Sequence, residues 1–186
     1  MEARHLYTNV TMAGFGGQGL MFIGKLLAYC AMKHGLNVTW IPSYGPEVRG
    51  GTANCTVVIS DEPVGSPVIG SPEALIIMNN PSLEAFEPRL KTGGLLFVNS
   101  NLVTRQIKRK DINIIPVPAN EAAAEAGEKR AANMVIFGAY VAKTKIITEQ
   151  DVTEGFKELF SAKAETLDAN MRAFEKGTKY AQNLTT

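Results

Sequence analysis

A glycine-rich turn after the first strand-like segment constrains the fold of this chain more than any other sequence feature. Residues 14–19 are Gly-Phe-Gly-Gly-Gln-Gly and satisfy the pattern G-x-G-x-x-G. The apolar run Leu6–Ala13 precedes the turn and predicts a strand, while the apolar run Gln18–His34 predicts a helix that begins within it. A strand, a glycine turn and a helix in this order are typical of α/β folds.

The alternation of short apolar runs and helical segments continues along the chain. Further strands are predicted over Asn37–Ile41, which we expect Pro42 to end, and over Thr52–Ser60, Ala74–Met78, Gly94–Asn99 and Ile112–Val117. Helices are predicted over Pro81–Leu90, over Asn120–Thr144 as one helix or two, and over Thr148–Phe160 and Ala162–Gln182. This pattern predicts a Rossmann-like three-layer sandwich, with a mainly parallel sheet, helices on both faces and a helical C-terminal part. At 186 residues, we expect a single domain over 1–186.

Charge and composition exclude several classes of function. The net charge of +1 is too small for the electrostatic field with which proteins hold nucleic acid. The two cysteines, Cys30 and Cys55, are fewer than the four thiolates of a usual iron–sulfur cluster, and we expect both to be reduced and buried. The two histidines, His5 and His34, lack the spacing of metal ligands. No segment resembles a membrane span or a signal peptide, so the sequence predicts a cytoplasmic protein.

Three interpretations of the glycine turn remain open. The glycines could serve only as a tight turn, or they could bring a phosphate-type group to the N-terminus of the following helix. They could also form a full dinucleotide site, which needs a carboxylate about 20 residues later to bind the ribose hydroxyls. Residues 38–43 contain neither that carboxylate nor an arginine for a 2′-phosphate, which weakens the dinucleotide interpretation.

A second loop, residues 42–51, follows the second predicted strand and is rich in glycine and proline. Because loops at the carboxyl ends of strands share one crevice in an α/β sheet, we expect the two glycine loops to face one another. Arg49 could bind a carboxylate or phosphate in bidentate fashion, or it could merely pair with Glu47 within the loop. The candidate ligand-binding residues of the two loops are Gly14, Gly16, Gly17, Gln18, Gly19, Tyr44, Glu47, Arg49, Gly50 and Gly51.

A basic run follows the fifth predicted strand and contains Arg105, Lys108, Arg109 and Lys110. Such a run could bind an acidic partner or the phosphates of a coenzyme. A solvated face is the more frequent role of a charge run, and we favour it here.

The two loops together resemble a known family. The stretch GFGGQG after a first strand, followed by PSYGPEVRGGTANC before another strand, resembles the gamma subunit of the 2-oxoacid:ferredoxin (acceptor) oxidoreductases, most closely the 2-oxoglutarate branch. The resemblance continues through Asn79-Asn80-Pro81, through residues 93–99 and through residues 133–139, and it covers about Met12 to Ala142. The same gamma part occurs in pyruvate, 2-oxoisovalerate and indolepyruvate enzymes.

The resemblance implies a role inside a larger enzyme. Such enzymes oxidatively decarboxylate a 2-oxoacid to its acyl-CoA, using thiamine diphosphate with Mg²⁺, iron–sulfur clusters and coenzyme A. The implied partners are thiamine-bearing alpha and beta subunits and a ferredoxin-like delta subunit or external ferredoxin, and a homodimer of the isolated chain stays open. The gamma part is expected to pack against the thiamine-bearing subunits, to help shape the coenzyme A site, and to hold no catalytic residue, metal or cofactor of its own. The alternative is a stand-alone nucleotide- or coenzyme-A-binding protein.

Overall fold

The computed structural model describes residues 5–45, 51–160 and 164–184. Within these ranges six strands form one sheet, with the order β2-β3-β1-β4-β5-β6. The strands are β1 (Tyr7–Phe15), β2 (Asn37–Tyr44), β3 (Thr52–Ser60), β4 (Ala74–Ile77), β5 (Leu95–Asn99) and β6 (Asn113–Val117). The helices are α1 (Leu20–Lys33), α2 (Asn80–Phe86), α3 (Ala119–Glu125), α4 (Ala132–Thr144), α5 (Glu149–Phe160) and α6 (Ala164–Asn183).

The sheet is mixed but mainly parallel, as the sequence predicts. β1, β4, β5 and β6 pair in parallel, whereas β3 is antiparallel to both β1 and β2. Only residues 45–51 separate β2 from β3, and so short a connection joins antiparallel neighbours rather than a parallel pair. As a result β3 lies between β1 and β2, and β2 becomes an edge strand.

Two predicted boundaries differ from the structure. Pro42 does not end β2, because an edge strand tolerates a residue that lacks a backbone N–H, and the strand continues to Tyr44. After Pro118, where one helix or two were expected, the structure has two, since Gly127 adopts φ +85° between α3 and α4. Past α2, a short 3₁₀ turn over Glu87–Arg89 replaces the last turn of the predicted helix.

Helices cover both faces of the sheet, in accordance with the predicted three layers, but the two faces are unequal. On one face Leu83 of α2 and the loop residues Val103 and Ile107 pack on a small apolar cluster of β4 and β5. On the other face α1 and α4 cover the sheet, and α3, α5 and α6 add a further layer. None of the helices in the described ranges is long and apolar enough to cross a membrane.

Helix α4 is the centre of the thicker side. Residues 132–141 are all buried, which requires neighbours on every face of the helix. One neighbour is the sheet, where the Tyr140 ring packs edge-on against Phe97 with centroids 5.6 Å apart. The other is α6, where the Phe174 ring packs edge-on against Phe137 at 5.8 Å.

Two glycines allow α4 and α6 to approach closely. A Cβ added at Gly138 of α4 would overlap the backbone carbonyl of Phe174, and one at Gly177 of α6 would overlap the carbonyl of Val135. Each glycine therefore lies directly against the backbone of the opposite helix, so neither position accepts a side chain without separating the two helices.

Replacing Gly177 tests this contact. In an unconstrained helix interior, glycine to alanine stabilises by about 0.5–1 kcal/mol, but the Gly177→Ala methyl must displace α6 from α4. We expect the free energy of unfolding to fall by about 1–3 kcal/mol, measured by urea denaturation. Gly65→Ala is the control, because no atom lies within 4 Å of the added Cβ there. A Gly177→Ala protein as stable as the wild type would contradict the close approach.

Candidate functional site at the carboxyl end of the sheet

The two glycine loops meet at the carboxyl end of β1. β1 ends beside the start of β3, with Phe15 paired to Thr52, and β2 ends beside them, with Tyr44 paired to Ala53. The backbone N–H of Gly16 then donates a hydrogen bond of 2.9 Å to the carbonyl of Gly51. The adjacency expected from strand order is therefore present, and a backbone hydrogen bond secures it.

Internal hydrogen bonds shape the first glycine turn. The side chain of Gln18 accepts the N–H of Phe15 at 2.6 Å and donates to the carbonyl of Met78 at 3.2 Å. It thus joins the end of β1 to the end of β4. Gly17 and Gly19 adopt φ values of +98° and +74°, which side-chain-bearing residues rarely adopt.

Gly14 and Gly19 also allow close packing. A Cβ at Gly14 would lie 2.9 Å from Leu20 and 3.0 Å from Met78, so this glycine brings β1 against its neighbours. The carbonyl of Gly19 accepts a 3.2 Å hydrogen bond from the side chain of Asn133, at the start of α4. Sequence reasoning missed Asn133, because no local pattern indicates a contact between residues so far apart along the chain.

The turn retains limited capacity to bind an anion. The N–H groups of Phe15, Gly16 and Gln18 already donate within the protein. Those of Gly17 and Gly19 make no hydrogen bond with any residue that the structure describes. α1 then begins without an acidic residue in its first turn and without a side-chain cap, so its N-terminus stays electropositive.

A cavity of about 310 Å³ opens beside the turn. Its walls are the glycine turn, the first turn of α1, the rings of Phe15 and Tyr44, and Ala53. Phe15 is 37% and Tyr44 56% exposed, which is unusual for large apolar rings. None of its described lining residues carries a formal charge. Glu47, Arg49 and Gly50 lie outside the described residues.

Strand order argues against a dinucleotide site. In a dinucleotide-binding sheet, the second strand lies next to the first and carries the ribose-binding carboxylate at its end. Here β3 separates β1 from β2, so the end of β2 is about 10 Å from β1 rather than about 5 Å. Together with the missing carboxylate in residues 38–43, this leaves a structural turn or a phosphate-type site.

Two asparagines follow β4, and both side chains make structural hydrogen bonds. The Asn79 side chain accepts the N–H of Ser82 at 2.8 Å and caps α2. The side-chain oxygen of Asn80 accepts the backbone N–H groups of Thr104 and Arg105 at 3.0 and 2.9 Å. Asn80 thereby holds the loop after β5 against the start of α2, which Asn79 caps.

The two arginines of the basic run after β5 are paired with acidic residues. Arg105 pairs with Glu84, and Arg109 pairs with Asp111. Hydrogen bonds from the Arg109 guanidinium hold the pKa of the Asp111 carboxyl well below its ordinary value. The buried carboxylate of Glu87 accepts the N–H groups of Lys108 and Arg109 at 2.6 and 2.7 Å. The arginines and the backbone of the run therefore anchor a loop, while Lys108 and Lys110 are exposed and make no ion pair with any described residue.

The two thiols do not fit an iron–sulfur cluster. Both are free and buried, and burial raises the pKa of each to about 12, whereas a cluster ligand must be a thiolate. The Cys30 thiol lies 3.1 Å from the carbonyl of Asp151, and the Cys55 thiol 3.5 Å from that of Leu20. Among the described ranges of the chain, no cluster of side chains could hold a metal ion.

Gln18→Leu tests whether the two side-chain hydrogen bonds of Gln18 stabilise the glycine turn. The change removes both hydrogen bonds and leaves the N–H of Phe15 and the carbonyl of Met78 without this partner. We expect a loss of about 1–3 kcal/mol in the free energy of unfolding, measured by urea denaturation. Gln106→Leu, at an exposed position, is the matched control. Equal stability of the two variants would show that these two hydrogen bonds do not stabilise the protein.

Comparison with known proteins finds relatives that match almost the whole chain. The family model for pyruvate ferredoxin/flavodoxin oxidoreductase matches residues 9–180. A ketoisovalerate oxidoreductase subunit from Methanothermobacter thermautotrophicus is 39% identical over 93% of this chain, which spans only 36% of that protein. A 2-oxoglutarate synthase subunit from Methanothermobacter marburgensis is 34% identical, over 90% of this chain and 93% of its own length.

A solved structure extends this similarity to the fold. The gamma subunit of a keto/oxoacid ferredoxin oxidoreductase from Geobacter sulfurreducens is 28% identical and superimposes with a TM-score of 0.81, over 95% of this chain and 99% of that one. The resemblance indicated by the two glycine loops is thus confirmed. By sequence over nearly its whole length, and by a fold shared with a gamma subunit, the chain belongs to the pyruvate ferredoxin/flavodoxin oxidoreductase family.

Proposed function

We propose that this chain is the gamma subunit of a multi-subunit 2-oxoacid:acceptor oxidoreductase, which converts a 2-oxoacid into its acyl-CoA, and that it acts only within that complex. The observation that carries the proposal is the pairing of the two glycine loops through Gly16 and Gly51, in a fold shared with a gamma subunit. The buried thiols of Cys30 and Cys55 support the part of this proposal that places the redox centres outside this chain.

The partners follow from this division of labour. Thiamine-bearing alpha and beta subunits supply the decarboxylation chemistry, and a ferredoxin-like delta subunit or an external ferredoxin accepts the electrons. We assign the cavity beside Phe15 and Tyr44 to the contact with the thiamine-bearing subunits, because exposed aromatic rings are frequent anchors of protein interfaces.

The same cavity could contribute to the coenzyme A site. The N–H groups of Gly17 and Gly19 and the N-terminus of α1 suit an anionic oxygen, and the aromatic walls suit an apolar arm. In this proposal the contacts come from the turn over 14–19, from Tyr44 and Gly51, and from Glu47, Arg49 and Gly50 of the second loop. The rival proposal is a scaffold, in which both loops only bind partner subunits.

Two observations bear on the 2-oxoacid, and they point to different substrates. The 39% identity to a ketoisovalerate oxidoreductase subunit favours 2-oxoisovalerate. The match over 93% of the length of a 2-oxoglutarate synthase subunit favours 2-oxoglutarate. Because no catalytic residue is assigned to this chain, we expect the thiamine-bearing subunits to decide between them.

Isolation of the native complex tests the assignment. We expect this chain, affinity-purified from its host, to bring with it a thiamine-dependent subunit identified by mass spectrometry. The purified complex should reduce ferredoxin or a viologen dye when given coenzyme A and one of pyruvate, 2-oxoglutarate, 2-oxoisovalerate or indolepyruvate. A chain that purifies without a thiamine-dependent partner would overturn the proposal.

Arg49→Ala in that complex separates a coenzyme A contact from a scaffold. If Arg49 binds a phosphate of coenzyme A, the KM for coenzyme A should rise about tenfold or more, because a charged hydrogen bond contributes about 1.5–3 kcal/mol. Lys110→Ala, in the exposed part of the basic run, is the control and should leave that KM unchanged. An unchanged KM together with loss of assembly would identify the scaffold.

Titration of the isolated chain with NAD should show no saturable binding, whereas micromolar affinity would favour the stand-alone nucleotide-binding alternative.

A further inference from the structure

A second cavity lies on the other side of the first turn of α1. It has a volume of about 410 Å³ and lies among α1, the start of α4, α5 and the start of α6. It shares Gly19 and Phe22 with the cavity at the glycine loops, so the first turn of α1 separates the two spaces. Neither the sequence motifs nor the proposed function accounts for this second cavity.

One wall of the cavity carries a positive charge. Arg130 lines it, and among the described residues its guanidinium makes no ion pair. The nearest acidic side chain along the chain, Glu128, accepts the backbone N–H of Arg130 at 3.0 Å and forms no ion pair with its guanidinium. No carboxylate belongs to the described lining of the cavity, so the charge of Arg130 is not balanced there.

A buried polar side chain stands beside this charge. Asn133 lines the cavity and is only 7% exposed. Its Nδ2 donates to the carbonyl of Gly19 at 3.2 Å, while its Oδ1 accepts no hydrogen bond from any residue that the structure describes. The cavity wall therefore offers an accessible amide oxygen, on a side chain held in place by its own hydrogen bond, next to a guanidinium without an ion pair.

The opposite wall is apolar and aromatic. The rings of Phe22 and Phe156 pack edge-to-face with centroids 5.2 Å apart and an interplanar angle of 69°. Phe156 is almost completely buried and supports Phe22, which is only partly buried and supplies most of the aromatic surface at the cavity. Aromatic walls with a few converging polar groups are the usual composition of a small-molecule site.

The electrostatic setting reinforces the preference for an anion. α1 and α4 both begin at this cavity, through Gly19 and Asn133, and neither has an acidic residue in its first turn or a side-chain N-cap. Each N-terminus adds a partial positive charge to that of Arg130.

We propose that this cavity binds a small organic anion, in which one carboxylate or phosphate group is joined to a flat apolar body. Arg130 binds the anionic group, Phe22 and Phe156 contact the apolar body, and Asn133 accepts a hydrogen bond from the molecule. Since Asn133 also holds Gly19, an occupied cavity is linked to the glycine turn on the other side of α1. The inference concerns a different cavity from the proposed function and does not depend on it.

The test is a titration of the full chain, followed through its backbone amide signals by NMR. The probes are benzoate and phenyl phosphate, with benzamide as the uncharged ring and acetate as the charge without a ring. We expect benzoate or phenyl phosphate to shift the signals of Gly19, Asn133 and Asn170, a residue of α6 that also lines the cavity, saturably. Whichever probe binds more tightly identifies the anionic group. Benzamide and acetate should each bind at least tenfold more weakly, since each lacks one of the two contacts.

Substitutions at Arg130 and Lys129 test which positive charge binds the anionic probes. Arg130→Gln should weaken binding of the anionic probes about tenfold or more, and Arg130→Lys should weaken it less, because lysine keeps the charge but loses the planar fork. Lys129→Gln, which removes the neighbouring charge, should change the Kd less than twofold. The proposal is overturned if neither anionic probe gives saturable shifts at millimolar concentration. It is also overturned if acetate matches benzoate, or if Lys129→Gln weakens binding as much as Arg130→Gln does.

Discussion

The contact between α4 and α6 supports the rest of the structure. Gly138 and Gly177 each lie against the backbone of the opposite helix, which lets α6 seal a helix that is buried on all sides. A helix as apolar as α4 would otherwise expose a large hydrophobic surface. Because α4 is fixed between the sheet and α6, its first turn is fixed too. Asn133 can then hold the carbonyl of Gly19 and set where α1 begins.

The glycine turn is therefore the product of several distant constraints rather than an autonomous motif. Gln18 ties it to β4, Gly16 ties it to the second loop, and Asn133 ties it to α4. Three of the N–H groups of the turn already donate hydrogen bonds within the protein. The turn therefore resembles a phosphate-binding turn in sequence, but it has fewer free N–H donors to offer. The proposal that the turn lies at a junction between subunits rests on the apolar surface beside it rather than on charge.

Much of the architecture could be predicted because it depends on local patterns. The apolar runs of β3 and β4 specify strands through their composition, and the glycines of residues 14–19 specify a turn through backbone freedom. The exposed rings of Phe15 and Tyr44 could not be predicted as a pair, since their proximity depends on the pairing of β3 with both β1 and β2. The contact of Asn133 with Gly19 could likewise not be predicted, because the two residues are far apart along the chain.

The sequence by itself determined that this is an α/β chain of the gamma type, because the residues of the two glycine loops are specific in their order and spacing. It also showed that the chain has only two cysteines and no carboxylate in residues 38–43, because both facts can be read without a structure. Only the tertiary structure decided that β3 separates β1 from β2, and that Gln18 and Gly16 direct their polar groups inward. The physical reason is that hydrogen-bond partners and strand neighbours are chosen by packing across the whole chain, which local pattern does not record.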